Sequence, residues 1–164
     1  MSRMAFTGDC DRDNFETNRL GWEIIRDYIP QDKKIWAPFY CDGMQKEYFE
    51  EMGYDIIHED EDFFEVKEGR GDVIVDNPPF SKFKDVCGRL KELDMPFIII
   101  GFSKVLLLKW FQRLFKDNLQ VIIPFTRITF SEYGNADNSK YTPPFGTMYF
   151  CYKMNLPKDL IFID

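Results

Sequence analysis

The residues whose types and spacing best suit chemistry are Asn77, Pro78, Pro79 and Phe80, which directly follow the apolar run 73–75. An apolar run of this kind predicts a buried strand, and open α/β sheets bind their ligands at the carboxyl ends of such strands. The side-chain carbonyl of Asn77 and the main-chain carbonyl of Pro78 could each accept a hydrogen bond from one planar amino group. Because proline restricts its own backbone and that of the residue before it, the two acceptors would be held in one geometry.

This arrangement suits the transfer of a methyl group to an sp2 amino nitrogen. The lone pair of such a nitrogen is delocalised into a π system, and acceptors on both N–H bonds turn it towards an electrophile. Phe80 offers a face on which a flat substrate can stack. Because the proton can leave after the transfer, no general base is needed, and a single histidine, His58, does not argue against the reaction. The alternative is that Asn-Pro-Pro is only a rigid turn that ends a strand.

Length and composition suit one domain with one core. The chain has 164 residues, of which 45% are hydrophobic and 17% aromatic, and we expect residues 1–164 to form one domain with no separate target-recognition domain. The longest apolar run, near 97–102, is too short to span a bilayer, and the N-terminus lacks an apolar signal segment. We therefore expect no membrane partner and a cytoplasmic location, which would be the host cytoplasm for a viral protein. The four cysteines form no Cys-x-x-Cys pair, which indicates free thiols and no zinc site.

The charge of the chain is acidic overall but unevenly distributed. A net charge of −7 and a pI near 4.8 oppose non-specific binding to nucleic acid, which depends on Lys and Arg contacts to phosphates. The acidic excess is concentrated in residues 59–68, whereas basic residues follow the Asn-Pro-Pro segment at 82–91 and at 104–116. A local basic surface is therefore compatible with the acidic total, although charge runs are usually only solvated faces.

Hydrophobic periodicity and turn residues predict alternating strands and helices, followed by a late hairpin. The predicted helices span 17–28, 44–52, 83–93 and 105–115. The predicted strands span 34–39, 54–58, 63–64, 72–76, 96–102, 119–124, 127–130, 147–154 and 160–162, and a loop is predicted over 131–144. This order implies an α/β fold with a mostly parallel sheet, helices on both faces and an antiparallel late strand.

The ends of the first two main predicted strands could bind a methyl donor that contains a nucleoside. Such a ligand needs a tight turn, an acid for its ribose hydroxyls and contacts to its adenine. Gly43 permits close approach of the backbone in the turn 36–43, and residues 58–60 supply carboxylates after the second strand. Asp62 could accept a hydrogen bond from the adenine amino group, and Phe63 could pack on the adenine ring.

On these residues the chain resembles S-adenosylmethionine-dependent amino-methyltransferases, especially DNA N6-adenine methyltransferases with an Asn/Asp-Pro-Pro-Tyr/Phe signature. Small enzymes of this type occur in phages and other viruses. The resemblance covers roughly residues 15–150 and implies a Rossmann-like class I methyltransferase fold, S-adenosylmethionine as cofactor and DNA as partner. The family's first loop, Pro-Phe-x-Gly-x-Gly, is partly matched by residues 38–43, and its Thr-Pro-like segment, which touches the methionine part of the donor, falls on Thr17 and Asn18.

The resemblance also assigns roles to individual residues. The ribose-binding acid falls on Glu59, and the adenine-contacting pair falls on Asp62 and Phe63. The residues implied for catalysis are Asn77, Pro78, Pro79 and Phe80. The residues implied for cofactor binding are Thr17, Asn18, Pro38, Phe39, Tyr40, Gly43, Glu59, Asp62, Phe63 and Asn77. Cys41 stands where the family usually has glycine and Ala37 where an acid is common, and either change could weaken donor binding.

Three functions are compatible with the sequence. The first is methylation of adenine N6, for which a duplex substrate would need the base flipped out. The second is methylation of a protein glutamine amide or an RNA guanine, since the same motif serves such enzymes and an acidic pI suits a protein substrate. The third is a catalytically inactive methyltransferase-like subunit. Target recognition would rest on the loop 131–144, on a homodimer or on a partner subunit.

Overall fold

The computed structural model describes residues 15–41, 43–132 and 145–164, and a seven-stranded mixed sheet lies at its centre. The helices are α1 (Arg19–Glu23), α2 (Met44–Glu51), α3 (Phe83–Leu93) and α4 (Lys109–Phe115). The strands are β1 (Phe15–Thr17), β2 (Ile35–Trp36), β3 (Ile56–Ile57), β4 (Val73–Asp76), β5 (Phe97–Phe102), β6 (Leu119–Pro124), β7 (Phe130–Glu132), β8 (Thr147–Tyr152) and β9 (Leu160–Ile163). Within these described ranges, no helix is both long and apolar enough to cross a membrane.

The strand order in the sheet is β3-β2-β4-β5-β8-β6-β9. Strands β3, β2, β4 and β5 are parallel to one another. Strand β8 lies between β5 and β6 and is antiparallel to both, whereas β9 is parallel to β6. Helix α2 connects β2 to β3 and helix α3 connects β4 to β5, as parallel neighbours require a crossover. The predicted α/β class, with a mostly parallel sheet and an antiparallel late strand, is confirmed.

The sheet is buried on both faces because its central strands send alternate side chains into two apolar layers. In β5, Phe97 and Ile99 belong to the layer that α3 and α4 cover. Ile98 and Ile100 belong to the opposite layer, which contains residues of α1 and α2. All four side chains are fully buried. This double burial explains why the segment reads in the sequence as an unbroken apolar run.

The N-terminal helix predicted over 17–28 is wrong at its start. Thr17 ends strand β1, and α1 occupies only Arg19–Glu23 before a 3-10 turn at Arg26–Tyr28. Strand β1 pairs antiparallel with β7, so that Thr17 lies opposite Phe130. A partner more than a hundred residues away overrides the local periodicity that favoured helix.

The short strand predicted at 63–64 is also wrong, because Phe63–Glu65 forms a 3-10 turn. The N–H of Phe64 donates to the Asp62 carboxylate at 2.9 Å. A side-chain acceptor of this kind offers the backbone an alternative to a strand ladder.

The predicted helix over 105–115 is divided in two. A 3-10 turn spans Ser103–Leu107, and α4 begins at Lys109 after an extended Leu108 (φ −93°, ψ 133°). The strand predicted over 127–130 is β7, which instead covers Phe130–Glu132. Residues 133–144 of the predicted loop lie outside the described residues.

The cysteines of the described segments are free thiols in different environments. Cys87 and Cys151 are fully buried, and Cys41 is half-buried. Burial raises the pKa of the Cys87 thiol above its ordinary range and that of Cys151 to about 12, which disfavours the reactive thiolate. Cys10 lies outside the described residues.

Gly101 and Gly88 make a matched test of this packing. A Cβ added to Gly101 would lie 2.5 Å from Cζ of Phe83 and 2.8 Å from Cε2 of Phe150, both buried rings, whereas a Cβ on Gly88 of α3 meets nothing within 4 Å. We expect Gly101→Ala to lower the free energy of unfolding by about 1–3 kcal/mol through overpacking. We expect Gly88→Ala to raise it by about 0.4–1 kcal/mol. Urea unfolding measures both, and a Gly101→Ala chain as stable as the wild type would contradict the close packing of β5.

Candidate active site

The Asn-Pro-Pro-Phe segment lies at the carboxyl end of β4, between β2 and β5 in the parallel part of the sheet. The backbone is extended at Pro79 (φ −63°, ψ 129°) and then forms the 3-10 turn Phe80–Lys82, which leads into α3. Two prolines cannot continue a strand ladder, since they have no N–H to donate. The segment is therefore turned out of the sheet at the edge where ligands of open α/β folds bind.

Asn77 holds an acceptor that the described part of the protein does not use. Its Oδ1 atom is buried and has no hydrogen-bond partner among the described residues, although the residue as a whole is half-buried. Pro78, the next residue, is buried. A buried acceptor without a donor costs free energy and is rare in native proteins. A ligand that donates an N–H could satisfy this oxygen.

Phe80 belongs to an aromatic cluster with Phe102, Phe130 and Phe145. The Phe80 ring centroid lies 4.5 Å from that of Phe102, and it meets Phe130 and Phe145 edge to face at 6.2 and 6.0 Å. Phe102 ends β5, Phe130 begins β7 and Phe145 comes just before β8. No local sequence signal predicts these three partners, because they come from distant segments of the chain that meet only in the folded protein. The cluster fixes Phe80, which remains partly exposed beside Asn77.

The turn after β2, predicted to hold a donor, is attached to β4. The N–H of Phe39 donates to Oδ2 of Asp76 at 2.6 Å. The Phe39 ring is buried and lies 4.9 Å from the Phe63 ring, and Pro38 is buried too. Only the main chain of these two residues is thus placed to meet a ligand. Tyr40 is half-buried and packs on His58, with ring centroids 4.8 Å apart.

Gly43 precedes α2 with a left-handed backbone (φ 88°), which favours glycine. A Cβ at this position would lie 2.7 Å from the Tyr40 hydroxyl. The Tyr40 side chain therefore occupies the space that a side chain at position 43 would need.

The three residues after β3 that were predicted to contact the donor differ in their burial and contacts. Glu59 is exposed and pairs with Arg70 at 3.5 Å. Asp62 is half-buried and caps the turn Phe63–Glu65. Phe63 has no exposed surface and packs on Phe39 and Trp36. A ring buried in this way packs in the core and cannot lie directly on an adenine. The neighbouring Phe64 is 39% exposed.

A cleft of about 730 Å³ opens beside Asp62 and is lined by residues 61–62 and 65–70. Four of these eight residues carry carboxylates and two carry cationic groups. Such a lining repels phosphates and favours a ligand with hydroxyls, amines or positive charge.

Thr17 and Asn18 lie where β1 passes into α1. Thr17 is buried, and its Oγ1 has no hydrogen-bond partner among the described residues. The side-chain amide of Asn18 donates to Oγ1 of Thr129 at 2.7 Å. Because Thr17 pairs with Phe130 across the β1–β7 ladder, this segment adjoins the aromatic cluster.

Two buried carboxylates at the site were not singled out in the sequence. Glu16 is 6% exposed, and its Oε1 accepts from the N–H of Gln45 at 3.2 Å, in the first turn of α2. The side chain of Gln45 in turn donates to the Val75 carbonyl at 2.9 Å. Asp76 is 1% exposed; burial raises its pKa well above the ordinary value, and hydrogen bonds from the N–H groups of Phe39 and Asn77 oppose that rise. For Asp76 the available signal was an acid that directly follows the apolar run 73–75; Glu16, in the short strand Phe15–Thr17, had no such signal.

Comparison with known proteins identifies the family. The sequence profile described as "Adenine-specific methyltransferase EcoRI" matches residues 41–140. No curated protein sequence matches the chain. The matched range includes Asn77, the prolines after it, Phe80 and the acidic segment, and it covers more than half of the chain, so the resemblance inferred from the motif is confirmed. The chain belongs to the EcoRI family of adenine-specific DNA methyltransferases.

Proposed function

We propose that this chain transfers a methyl group from S-adenosylmethionine to the exocyclic N6 of adenine in DNA, with Asn77 and Pro78 as the groups that hold the amino group. The observation that carries the proposal is the buried Oδ1 of Asn77, which lacks a donor among the described residues. An adenine amino group supplies two N–H donors, one for this oxygen and one for the Pro78 carbonyl. The family assignment gives adenine as the target base.

The residues at the strand ends fit the proposed donor. S-adenosylmethionine would supply an electrophilic methyl group on a positively charged sulfur. It contains no phosphate, which agrees with the excess of carboxylates in the cleft beside Asp62. Gly43, which has no side chain, would let the backbone approach the donor closely, and Asp62 would accept from its adenine amino group. Glu59 would face its ribose hydroxyls once released from Arg70, and Thr17 and Asn18 would adjoin its methionine part.

In the reaction, side chains and backbone of this protein would orient the amino group of the adenine and hold the plane of the base. Asn77 and Pro78 would accept from the two N6–H bonds, which turns the lone pair of nitrogen towards the methyl group. Phe80, fixed by its three aromatic neighbours, would stack on the base and hold its plane. The proton leaves N6 after the transfer and passes to solvent, so His58, which contacts the Ala37 carbonyl through Nδ1 at 2.7 Å, is not needed as a base.

DNA binding by an acidic chain requires a local cationic surface. Lys82 and Lys104 are exposed and lie in the turns that directly follow Phe80 and Phe102. Lys104 is also close to the Phe102 ring, 5.4 Å from its centroid. Cations at the rim of the aromatic cluster would bind the phosphates that flank a flipped adenine.

One observation favours a second acceptor. The net charge of −7 suits a protein substrate, and a glutamine side-chain amide offers the same two N–H donors as adenine. Labelled methyl donor incubated separately with DNA, RNA and protein distinguishes the two. Label in DNA recovered as N6-methyladenine supports the proposal, and label only in protein would replace adenine by glutamine.

Asn77→Ala should lower kcat for DNA methylation by about 10²- to 10³-fold, the range found when one preorganised hydrogen-bond group is removed from an active site. Donor affinity, measured by calorimetry, should change little. Asn118→Ala, an exposed asparagine in the turn before β6, is the control and should retain wild-type kcat. Full activity of Asn77→Ala would refute the role of the Oδ1 acceptor.

Phe80→Ala should lower kcat/KM for DNA by about 10- to 100-fold, because stacking of a base on an aromatic ring contributes about 1–3 kcal/mol. Phe80→Tyr keeps the ring and should retain most activity. Phe125→Ala removes a phenylalanine that is 77% exposed outside the aromatic cluster, and it should have no effect on kcat/KM. A Phe80→Ala enzyme with wild-type kcat/KM would mean that another surface holds the base.

Asp62→Ala should raise the dissociation constant of S-adenosylmethionine more than it lowers kcat at saturating donor, because the carboxylate would contact the donor and not the acceptor. Calorimetry and steady-state kinetics measure the two effects. Asp117→Ala, which removes an exposed aspartate in the turn before β6, is the matched control. The reverse pattern, with a lower kcat and unchanged affinity, would remove Asp62 from the donor site.

A further inference from the structure

We infer that Asp76 is a positioning residue that fixes the donor-binding turn and the acceptor-binding segment relative to each other. The donor-binding turn is residues 38–43, and the acceptor-binding segment is residues 77–80. The inference rests on the proposed function, because it assigns one side chain to the alignment of the two ligands of that reaction.

The geometry of the carboxylate carries the inference. Oδ2 of Asp76 accepts from the N–H of Phe39 at 2.6 Å, and Oδ1 accepts from the N–H of Asn77 at 2.7 Å. Each oxygen thus serves one of the two segments, and the residue is 1% exposed. Both distances are at the short end for N–H···O bonds.

The sheet itself does not supply this connection. The ladder between β2 and β4 pairs Ile35 with Val73 and Trp36 with Ile74, and it goes no further. Beyond this ladder, the backbone leaves β2 and enters the donor-binding turn. Strand β4 continues to Asp76, which pairs with Ile99 of β5. The carboxylate therefore extends the contact between the β2 and β4 segments past the end of their backbone pairing.

Burying a carboxylate is costly unless hydrogen bonds compensate for the water it loses. A neutral side chain of the same size could accept at one oxygen only, because the second atom of an amide is a donor. Two N–H groups approaching from two segments require two acceptor atoms, and aspartate supplies both. The reaction has a corresponding need, since a displacement of about 1 Å between reacting groups can cost about 10²-fold in rate.

Asp76→Asn tests this role against a structural one. The variant can keep only one of the two acceptor bonds, so we expect donor affinity to fall and kcat at saturating donor to fall, each by about 10-fold or more. This pattern would differ from that of Asn77→Ala, which lowers kcat alone, and from that of Asp62→Ala, which acts chiefly on donor affinity.

Asp72→Asn is the matched control. The side chain of Asp72 accepts from the N–H of Lys34 at 2.8 Å, at the other end of the contact between the β2 and β4 segments. It should change neither donor affinity nor kcat, even if it lowers the melting temperature. Asp76→Asn with wild-type kcat at saturating donor, or with a loss of stability alone, would overturn the inference.

Hydrogen exchange on the wild-type chain tests the same link without a variant. The amides of Phe39 and Asn77 should exchange slowly, because both donate to a buried carboxylate. Rapid exchange at either amide would overturn the inference even if Asp76→Asn does not fold. A wild-type chain with slow exchange at both amides but no methyl transfer would instead refute the proposed function, so the two failures can be told apart.

Discussion

The proposed site depends on one feature: the buried Asn77 side-chain oxygen, at the end of a buried strand, has no donor among the described residues. Left alone, a buried carbonyl oxygen tends to find a donor in its own protein. Here the two residues that follow Asn77 are prolines and have no N–H to give, and the N–H of Asn77 itself is taken by Asp76 at 2.7 Å. The nearest main-chain N–H groups are therefore not available to the Asn77 side-chain oxygen, and a ligand could donate a hydrogen bond to it instead.

The rest of the fold serves to keep that oxygen in place. Strand β4 is buried along its whole length between β2 and β5. Its last residue, Asp76, pairs with Ile99 of β5 and accepts from the N–H of Phe39 after β2. The aromatic cluster packs beside the segment, and the Gln45 side chain bonds to the Val75 carbonyl at 2.9 Å, which ties α2 to the same strand. Rigid elements that converge on one short loop are the usual way in which proteins hold reacting groups in one geometry.

Some of this could be predicted from the sequence and some could not. The central strands and α3 were predictable, because β4 and β5 are continuous apolar runs and α3 has a regular apolar face. The order of strand, Asn-Pro-Pro and helix was likewise local. The β1–β7 pairing was not, since Thr17 and Phe130 meet only in the folded chain. A helix was therefore predicted where a strand ends.

The same difference between local and long-range signals applies to the site. Asn77 and its neighbours were predicted as site residues from a contiguous motif, whereas the hydrogen bond from Phe39 to Asp76 and the rings around Phe80 depend on distant residues. Phe63 illustrates the limit: its position in sequence suited an adenine contact, but its side chain is buried against Phe39, which lies after a different strand. Spacing along the chain predicts which strand end a residue reaches, not whether its side chain faces the cleft or the core.

The most direct test is a crystal structure of the chain with S-adenosylhomocysteine and a short DNA whose target adenine is flipped out. The account predicts the adenine N6 within about 2.7–3.2 Å of both Asn77 Oδ1 and the Pro78 carbonyl, with the base against Phe80. An adenine bound elsewhere, or an Asn77 side chain hydrogen-bonded to the protein's own interior, would contradict it.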